Sequence, residues 1–367
     1  MAATLKLLQS GLAVLARPVK TWNRPLHLQI EPTTVCNLKC SFCVREKNVF
    51  RPKSLTLEQF QSVFAQVRPL RVTFAGDGEP TLAPDIWKMV AHAKAGGART
   101  IITSNWTIGP RIAETAIESG LTALRVSIDA ATASTYVAMR KADYHGVIIE
   151  GIRRLQALKK ERGVCEPDVG FEYVLGRDNL HEMQQVIDLA SDLGVCRVNF
   201  RPLNLVGIEE REQELLGGMT REQYREALAA AHRHGQARKV ATNLEEVIAL
   251  LPFYEVRYTP QFNPEKRSPD CIYPWVQVYV AVDGKVTPCC ALQMDEKVSL
   301  GNMFEDGFDS VWNGKPYRKM RSDTVKRRIE YKSCITCEGR GLGKVASLAF
   351  RTPGFLKKPD APGAGRG

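Results

Sequence analysis

Ten cysteines stand at positions 36, 40, 43, 165, 196, 271, 289, 290, 334 and 337 of a 367-residue chain. Three of them form Cys36-x3-Cys40-x2-Cys43, in the run CNLKCSFC. Thiolates this close in sequence can wrap one metal cluster, but they leave a four-iron, four-sulfur cube one ligand short. The open iron can then be chelated by a small molecule carrying an amine and a carboxylate, and an electron from the cluster can break an adjacent sulfonium bond. A zinc site or plain buried thiols are the alternatives. Structural zinc takes four protein ligands, and no fourth lies nearby in the chain.

A second set reads Cys271-x17-Cys289 followed by Cys334-x2-Cys337, with Gly284 placed so that the first part is also Cys271-x12-Gly284-x4-Cys289. Four thiolates can saturate one metal centre, and both structural zinc and a second 4Fe–4S cluster fit that donor set. Cys290 is spare, although it can replace Cys289. Clusters of this kind in a chain of this size point to metal ligation rather than to disulfides. Cys165 and Cys196 qualify as hydrogen-atom donors by residue type alone. Cys196 opens an expected strand and is read more simply as a buried structural cysteine.

The elements that must hold these residues alternate. Strands are expected at 27–30, 71–75, 100–104, 124–129, 169–175 and 196–203. Helices are expected from Thr56, at 84–95, 109–119, near 132–139, and at 146–160 and 180–193. Thr56 and Gln59 make a capping-box pair, and Phe60, Val63, Phe64 and Val67 follow as one stripe. Six strands alternating with helices imply a parallel α/β sheet curling into a full or partial barrel, with its functional loops at the C-terminal strand ends. The cysteine loop follows the first strand. Gly76-Asp77-Gly78-Glu79-Pro80 follows the second, where the glycines let backbone approach a ligand. Thr103-Ser104-Asn105 ends the third strand, Ser127 and Asp129 end the fourth, Arg140 lies on the next helix, and Asn179 follows the fifth strand.

The cysteine spacing in this setting resembles the signature of the radical S-adenosylmethionine (SAM) superfamily. The resemblance implies that Cys36, Cys40 and Cys43 hold a 4Fe–4S cluster, and that SAM is cleaved to a 5′-deoxyadenosyl radical. It places Phe42 against the adenine and makes Gly78, Glu79 and Pro80 the match to the family's glycine–glutamate motif, while the close backbone approach at Gly76 and Gly78 leaves free carbonyls that can bind the methionine ammonium. Ser104 and Asn105 would meet ribose or the methionine carboxylate, Ser127 and Asp129 take matching positions, and Arg140 would pair with the carboxylate bidentately. The C-terminal spacing resembles the auxiliary-cluster domains called SPASM and, in shortened form, twitch. The later C-x5-C-x3-C segment of the longer form is absent, since no cysteine follows Cys337. One auxiliary cluster on Cys271, Cys289, Cys334 and Cys337 is therefore expected, two clusters in all. The resemblance covers about residues 27–338.

The expected architecture is a partial (β/α)6 TIM-type barrel followed by a small C-terminal β-hairpin/helix iron–sulfur domain. An N-terminal amphipathic segment occupies 1–24, the barrel with a helical extension 25–258, the auxiliary-cluster domain 259–340 and a disordered tail 341–367. The segment 259–270 is the boundary, 205–252 reads as helical, Asp283–Gly284 turns a hairpin, and a helix runs from about 306 to 323. A fully ligated auxiliary cluster suits electron acceptance, so the resemblance implies a net two-electron oxidation. Candidates are dehydrogenation of a sugar or cyclitol alcohol and a peptide cross-link. One single-auxiliary-cluster member of the family, an amino-cyclitol dehydrogenase, is similar in ligand layout. Redox-neutral epimerisation and a carbon–carbon bond-forming lipid modification are the enzymatic alternatives, and a non-catalytic zinc or Fe–S nucleic-acid module is the alternative of another class. His145, Trp106, Tyr144, Glu172 and Arg201 are candidates for the barrel mouth, and no catalytic residue is singled out.

The net charge of +11 invites a nucleic-acid reading, but the basic residues are dispersed and the densest group, Arg318 to Lys332, lacks interleaved aromatics. Nucleic acid is therefore not an expected partner, whereas an acidic substrate, an acidic carrier or anionic lipid would use the same charge. An electron donor such as flavodoxin or ferredoxin is implied by the resemblance. The first 24 residues hold Lys6, Arg17, Lys20 and Arg24 and no acid. Their apolar core is too broken for a good signal peptide and too short for the roughly 20 residues of a membrane span. A helix packed on the body or touching a membrane surface is expected, in a reducing, cytoplasmic setting.

Overall fold

The computed structural model of the chain describes residues 2–46, 51–206, 208, 211–217, 220–251, 271–293 and 298–337. Helix α1 (Ala2–Ala16) leads to strand β1 (His27–Ile30), after which helices and strands alternate. They are α2 (Leu57–Val67), β2 (Arg71–Phe74), α3 (Ile86–Ala95), β3 (Arg99–Ser104), α4 (Gly109–Glu118), β4 (Ala123–Ser127), α5 (Ala133–Arg140), α6 (His145–Glu161), β5 (Asp168–Leu175), α7 (Met183–Asp192) and β6 (Arg197–Pro202). Then come α8 (Glu212–Leu216), α9 (Arg221–Ala237), β7 (Ala241–Thr242) and α10 (Leu244–Ala249). The C-terminal part comprises α11 (Tyr273–Val276), β8 (Gln277–Val280), β9 (Val286–Thr287), α12 (Cys290–Gln293), α13 (Phe308–Trp312), α14 (Lys315–Val325) and α15 (Lys332–Ile335).

All the strands among the described residues join one sheet in the order β7-β6-β5-β4-β3-β2-β1-β8-β9. Strands β1 to β7 pair in parallel, the arrangement of a partial TIM-type barrel. Two features go beyond the sequence expectation. The two-residue strand β7 lies within the segment read as helical, being too short to show a period. Strand β8 of the hairpin docks parallel to β1, with Ile30 opposite Val280, so the hairpin continues the barrel sheet. Barrel and C-terminal part share one core, in which Leu28, Val72 and Leu124 are buried together with Val278, Val286 and Tyr317. The expected boundary 259–270 and tail 341–367 lie outside the described residues.

Strand parity explains what the barrel encloses. Leu28 and Ile30 of β1 and Val72 and Phe74 of β2 point into the helix-covered core. The alternate residues are polar and bond one another across strands: the His27 ring meets Gln277 Oε1 at 2.7 Å and Thr73 Oγ1 at 2.8 Å. Parallel strands covered on both faces usually read as continuous apolar runs. Here one face packs on helices and the other is a polar lumen.

Helix α2 begins where Thr56 and Gln59 form a reciprocal capping box, and it buries Phe60, Val63, Phe64 and Val67. Phe60→Ala would cost about 3–5 kcal/mol. The helix expected over 306–323 is interrupted between α13 and α14. Pro316 must sit in a first turn, and a Cβ on Gly314 would lie 2.5 Å from Ser310 O. Helix α1 crosses the end of the barrel at which strands begin. Its Ala13 and Val14 pack on Ile272 and Trp275, and Lys6 Nζ donates to Arg68 O at 2.7 Å.

Candidate active site

The loop after β1 carries Cys36, Cys40 and Cys43, all as free thiols. Cys43 N donates to Cys40 O at 3.1 Å, closing a tight turn, and the Ser41 N–H and hydroxyl both donate to Met139 O on α5. Burial pushes the Cys36 thiol up, with Glu79 and the Cys40 sulfur adding to it, and burial pushes Cys43 up to about 11, helped by the sulfurs of Cys40 and Cys36. Iron binding would reverse that preference, because a coordinated thiol is deprotonated. Arg140, at the end of α5, donates from Nη1 to Cys40 Sγ at 3.3 Å and pairs through Nη2 with Asp129. Its guanidinium lies over Phe42, 5.4 Å from the ring centroid. Burial opposes its charge, but Asp129 and Cys40 hold its pKa above the ordinary value. A buried cation beside a desolvated thiol suits a thiolate ligand.

The loop after β2 is moulded on the cysteine loop. A Cβ on Gly78 would lie 2.2 Å from Thr33 O and 2.7 Å from Val35 O, and one on Gly76 would lie 2.5 Å from Glu31 Cγ. Glu79 N donates to Val35 O at 2.8 Å. The Glu79 carboxylate is a buried hub that accepts from Ser104 Oγ at 2.6 Å, Asn105 N at 2.6 Å and Thr81 Oγ1 at 2.7 Å. Asn105 Nδ2 reaches back to Asn37 Oδ1 at 2.9 Å, and Asn37 donates to Thr107 Oγ1 at 2.8 Å. The side chains of Glu79, Ser104 and Asn105 are thus directed at one another and at the cysteine loop, setting three strand-end loops in one arrangement. Asn179 does the same for the fourth and fifth strands: its Nδ2 donates to Asp129 O at 2.9 Å and Val174 O at 2.8 Å. Ser127 pairs in register with Glu172 at the end of β4.

Glu172, Asn199 and Arg201 meet on the lumen side of β5 and β6. Asn199 Nδ2 donates to Glu172 Oε1 at 2.9 Å, and Arg201 Nε pairs with Oε2. The three other candidates for the mouth are packing residues instead. Trp106 is fully buried in space left by Gly109 and Gly151, whose added Cβ atoms would lie 2.2 and 2.8 Å from its Nε1. His145 is buried against Tyr136, ring centroids 5.8 Å apart, and Tyr144 is half-buried against the core. Cys165 and Cys196 are exposed rather than buried. They precede β5 and β6, at the barrel end opposite the cysteine loop.

Glu31, which sequence reasoning did not single out, joins the two cysteine regions. Oε1 accepts from Asp77 N at 2.8 Å and Oε2 from Val282 N at 3.1 Å, so one buried carboxylate ties the β2 loop to the hairpin. Burial, with Asp77 nearby, pushes its carboxyl up to about 7, against the pull of the two N–H donors. Strand parity was the available signal, since Glu31 continues the polar series His27, Gln29.

In the C-terminal part, Cys289 is flanked by Cys290, Cys334 and Cys271, and burial first, then these sulfurs, raise its thiol well above the usual value. Cys337 N donates to Cys334 O at 3.2 Å. Cys290, opening α12, is exposed. Among the described residues, no three His, Cys, Asp or Glu side chains close around a single ion. A four-iron cube takes one thiolate per corner iron and is larger than such a site.

A family model described as the radical SAM superfamily matches residues 30–190, and one described as an iron–sulfur cluster-binding domain, SPASM, matches 271–338. A PqqA peptide cyclase of Streptomyces rochei is 27% identical over 295 residues, 78% of this chain and 75% of the relative. A tungsten-containing aldehyde ferredoxin oxidoreductase cofactor-modifying protein of Pyrococcus furiosus is 23% identical over 334 residues, 86% of this chain and 87% of the relative. Among solved structures, Streptococcus suis SuiB bound to its precursor peptide SuiA superposes with a TM-score of 0.64 at 16% identity, over 92% of this chain and 76% of that one. At that identity the likeness is one of fold.

Proposed function

This chain belongs to the radical SAM superfamily and carries a SPASM domain, and on that premise we propose that it catalyses a net two-electron oxidation of a polar substrate, with Cys36, Cys40 and Cys43 as the ligands of the SAM-cleaving cluster. Radical SAM domains use SAM and a 4Fe–4S cluster, and SPASM domains bind further iron–sulfur clusters. When bound, the first cluster supplies the electron that yields the hydrogen-abstracting 5′-deoxyadenosyl radical, and the second accepts the electron released, with a proton, by the substrate radical.

The observation that carries the reading is one strand-end loop holding three thiols, with Cys40 bonded by the buried Arg140 guanidinium, beside a glycine loop with no room for a side chain at Gly78. Arg140 offsets thiolate charge, Glu79 fixes the loops after β2 and β3, and Gly76 and Gly78 keep backbone close to the cysteine loop. In the C-terminal part we assign Cys271, Cys289, Cys334 and Cys337 to one further cluster. The polar lumen and the Glu172–Arg201 pair favour a substrate with polar groups over an acyl chain. Among polar substrates we favour a peptide, supported by the PqqA peptide cyclase relatives.

The test is anaerobic incubation of reconstituted protein with SAM and a strong reductant, scored for 5′-deoxyadenosine. Wild type should produce it and Cys40→Ala should not. A fully loaded protein that makes none, or a Cys40→Ala variant that matches it, overturns the reading. Cys334→Ala should keep part of the SAM cleavage but lose substrate turnover, and an unchanged product yield would remove the electron-acceptor role.

A further inference from the structure

Helix α1 is mounted the wrong way round for a helix that only stabilises a soluble barrel. Such a helix turns its large apolar residues inward. Here Ser10, Ala13 and Val14 face the body and are buried. Leu5, Leu8, Leu12 and Leu15, spaced i, i+3, i+7 and i+10 on the opposite face, are 57%, 62%, 59% and 70% exposed. Beyond the helix, Val19 and Trp22 extend the apolar surface, Trp22 at 57% exposure. A contiguous exposed stripe of this kind marks a contact surface.

Charge identifies what the surface contacts. From Met1 to Ile30 the chain holds Lys6, Arg17, Lys20 and Arg24 and no acidic residue. A cleft of about 310 Å³ beside α1 is lined by Lys6 and Arg68 together with Phe64, Pro69 and Leu70. Burial, then Arg68 and Arg24, pull the Lys6 ammonium below its ordinary value, so cations gather here, with Asp309 paired to Arg24 at 2.9 Å as the nearby carboxylate. A second copy of the chain docked through this stripe would bring two all-cationic segments together. An anionic lipid surface takes the leucines into its acyl boundary, meets the cations with headgroups and accommodates Trp22 at the interface. Among the described residues no helix is long and apolar enough to cross a membrane, so α1 would lie on the surface.

We propose that α1 is an interfacial helix that lays its leucine face into an anionic lipid surface. The docked orientation follows from the fold. Helix α1 contacts Arg68, which precedes β2, and Trp275, which precedes β8, at the barrel end opposite the cysteine loop. The barrel mouth then faces water, and a substrate reaches it from the aqueous side rather than from within the bilayer.

The test uses full-length, cluster-loaded protein in anaerobic vesicle flotation, with phosphatidylcholine vesicles and with phosphatidylcholine–phosphatidylglycerol vesicles. Wild type should float with the anionic vesicles only, and less as salt rises. L8E/L12E should lower partitioning by about tenfold or more while leaving 5′-deoxyadenosine formation unchanged, since both positions are exposed and remote from the site. Should that variant lose its iron, L5Q/L15Q supplies the same comparison. Equal partitioning of variant and wild type, equal flotation on neutral vesicles, or no flotation at all overturns the proposal. So does a wild-type dimer that L8E/L12E dissociates, which would assign the face to a second copy.

Discussion

Arg140 Nη1 lies 3.3 Å from Cys40 Sγ while Nη2 of the same guanidinium pairs with Asp129, so one buried cation connects the cysteine loop to the end of β4. A lysine keeps the charge but not the planar fork that reaches both partners. Arg140→Lys should therefore lower cluster occupancy or 5′-deoxyadenosine formation by about 10–100-fold, the range for residues that orient metal ligands. Iron and sulfide analysis separates the two effects. Wild-type loading and rate in that variant would show that the contact does not orient Cys40.

Glu79 organises the loops without needing to touch a ligand. Burial raises its pKa, while Ser104, Asn105 and Thr81 draw it back down through hydrogen bonds. Glu79→Ala leaves those donors buried and unmatched, and should destabilise the protein by about 2–5 kcal/mol. Glu79→Gln keeps the volume and an acceptor oxygen and should cost less. Urea midpoints of the two variants against wild type decide it, and an alanine variant as stable as wild type would remove the hub role.

Glu31 makes a pH-dependent contribution whose sign is opposite to that of a surface carboxylate in a salt bridge. Its pKa rises from 4.5 to about 7 on folding. Below pH 4.5 the group is neutral in both states and costs nothing. Above about pH 7 it is ionised in both, and the cost of burying the charge is fully present. The stability due to Glu31 should thus fall by about 3 kcal/mol across that window. Glu31→Gln cannot ionise, so wild type should lose stability relative to the variant as pH rises from 5 to 8. Parallel pH profiles would exclude the effect.

Local pattern made much of this molecule legible. Strands β1 to β6 fall within two residues of their expected ends because each is a short apolar-rich run between turn and helix signals, and the Thr56–Gln59 capping box is a purely local device. Long-range pairing was not legible. Asp283–Gly284 announces a hairpin, but nothing local says that β8 docks beside β1, some 250 positions earlier in the chain. The leucine period of α1 reveals amphipathicity and not which face the body takes. Trp106 and His145 have residue types that suit either a mouth or a core, and only the glycines at 109 and 151 and the Tyr136 ring decide for the core. Glu31 gains its role from Asp77 and Val282, neither of them a sequence neighbour.

The choice between the adjacent thiols Cys289 and Cys290 follows from where the backbone turns. Cys289 ends the hairpin and packs against the shared core with Cys271 and Cys334 around it, its carbonyl held by Thr287 Oγ1 at 2.9 Å. Cys290 starts α12 and is exposed. A ligand must face the other thiols, which the half-buried Cys289 does. Cys289→Ala should therefore reduce the iron content from about eight to about four per chain, leaving the cluster on Cys36, Cys40 and Cys43 to cleave SAM. Cys290→Ala should retain all of the iron. The reverse pattern would make Cys290 the ligand, and a loss in neither variant would mean that the C-terminal cysteines hold no cluster through this turn.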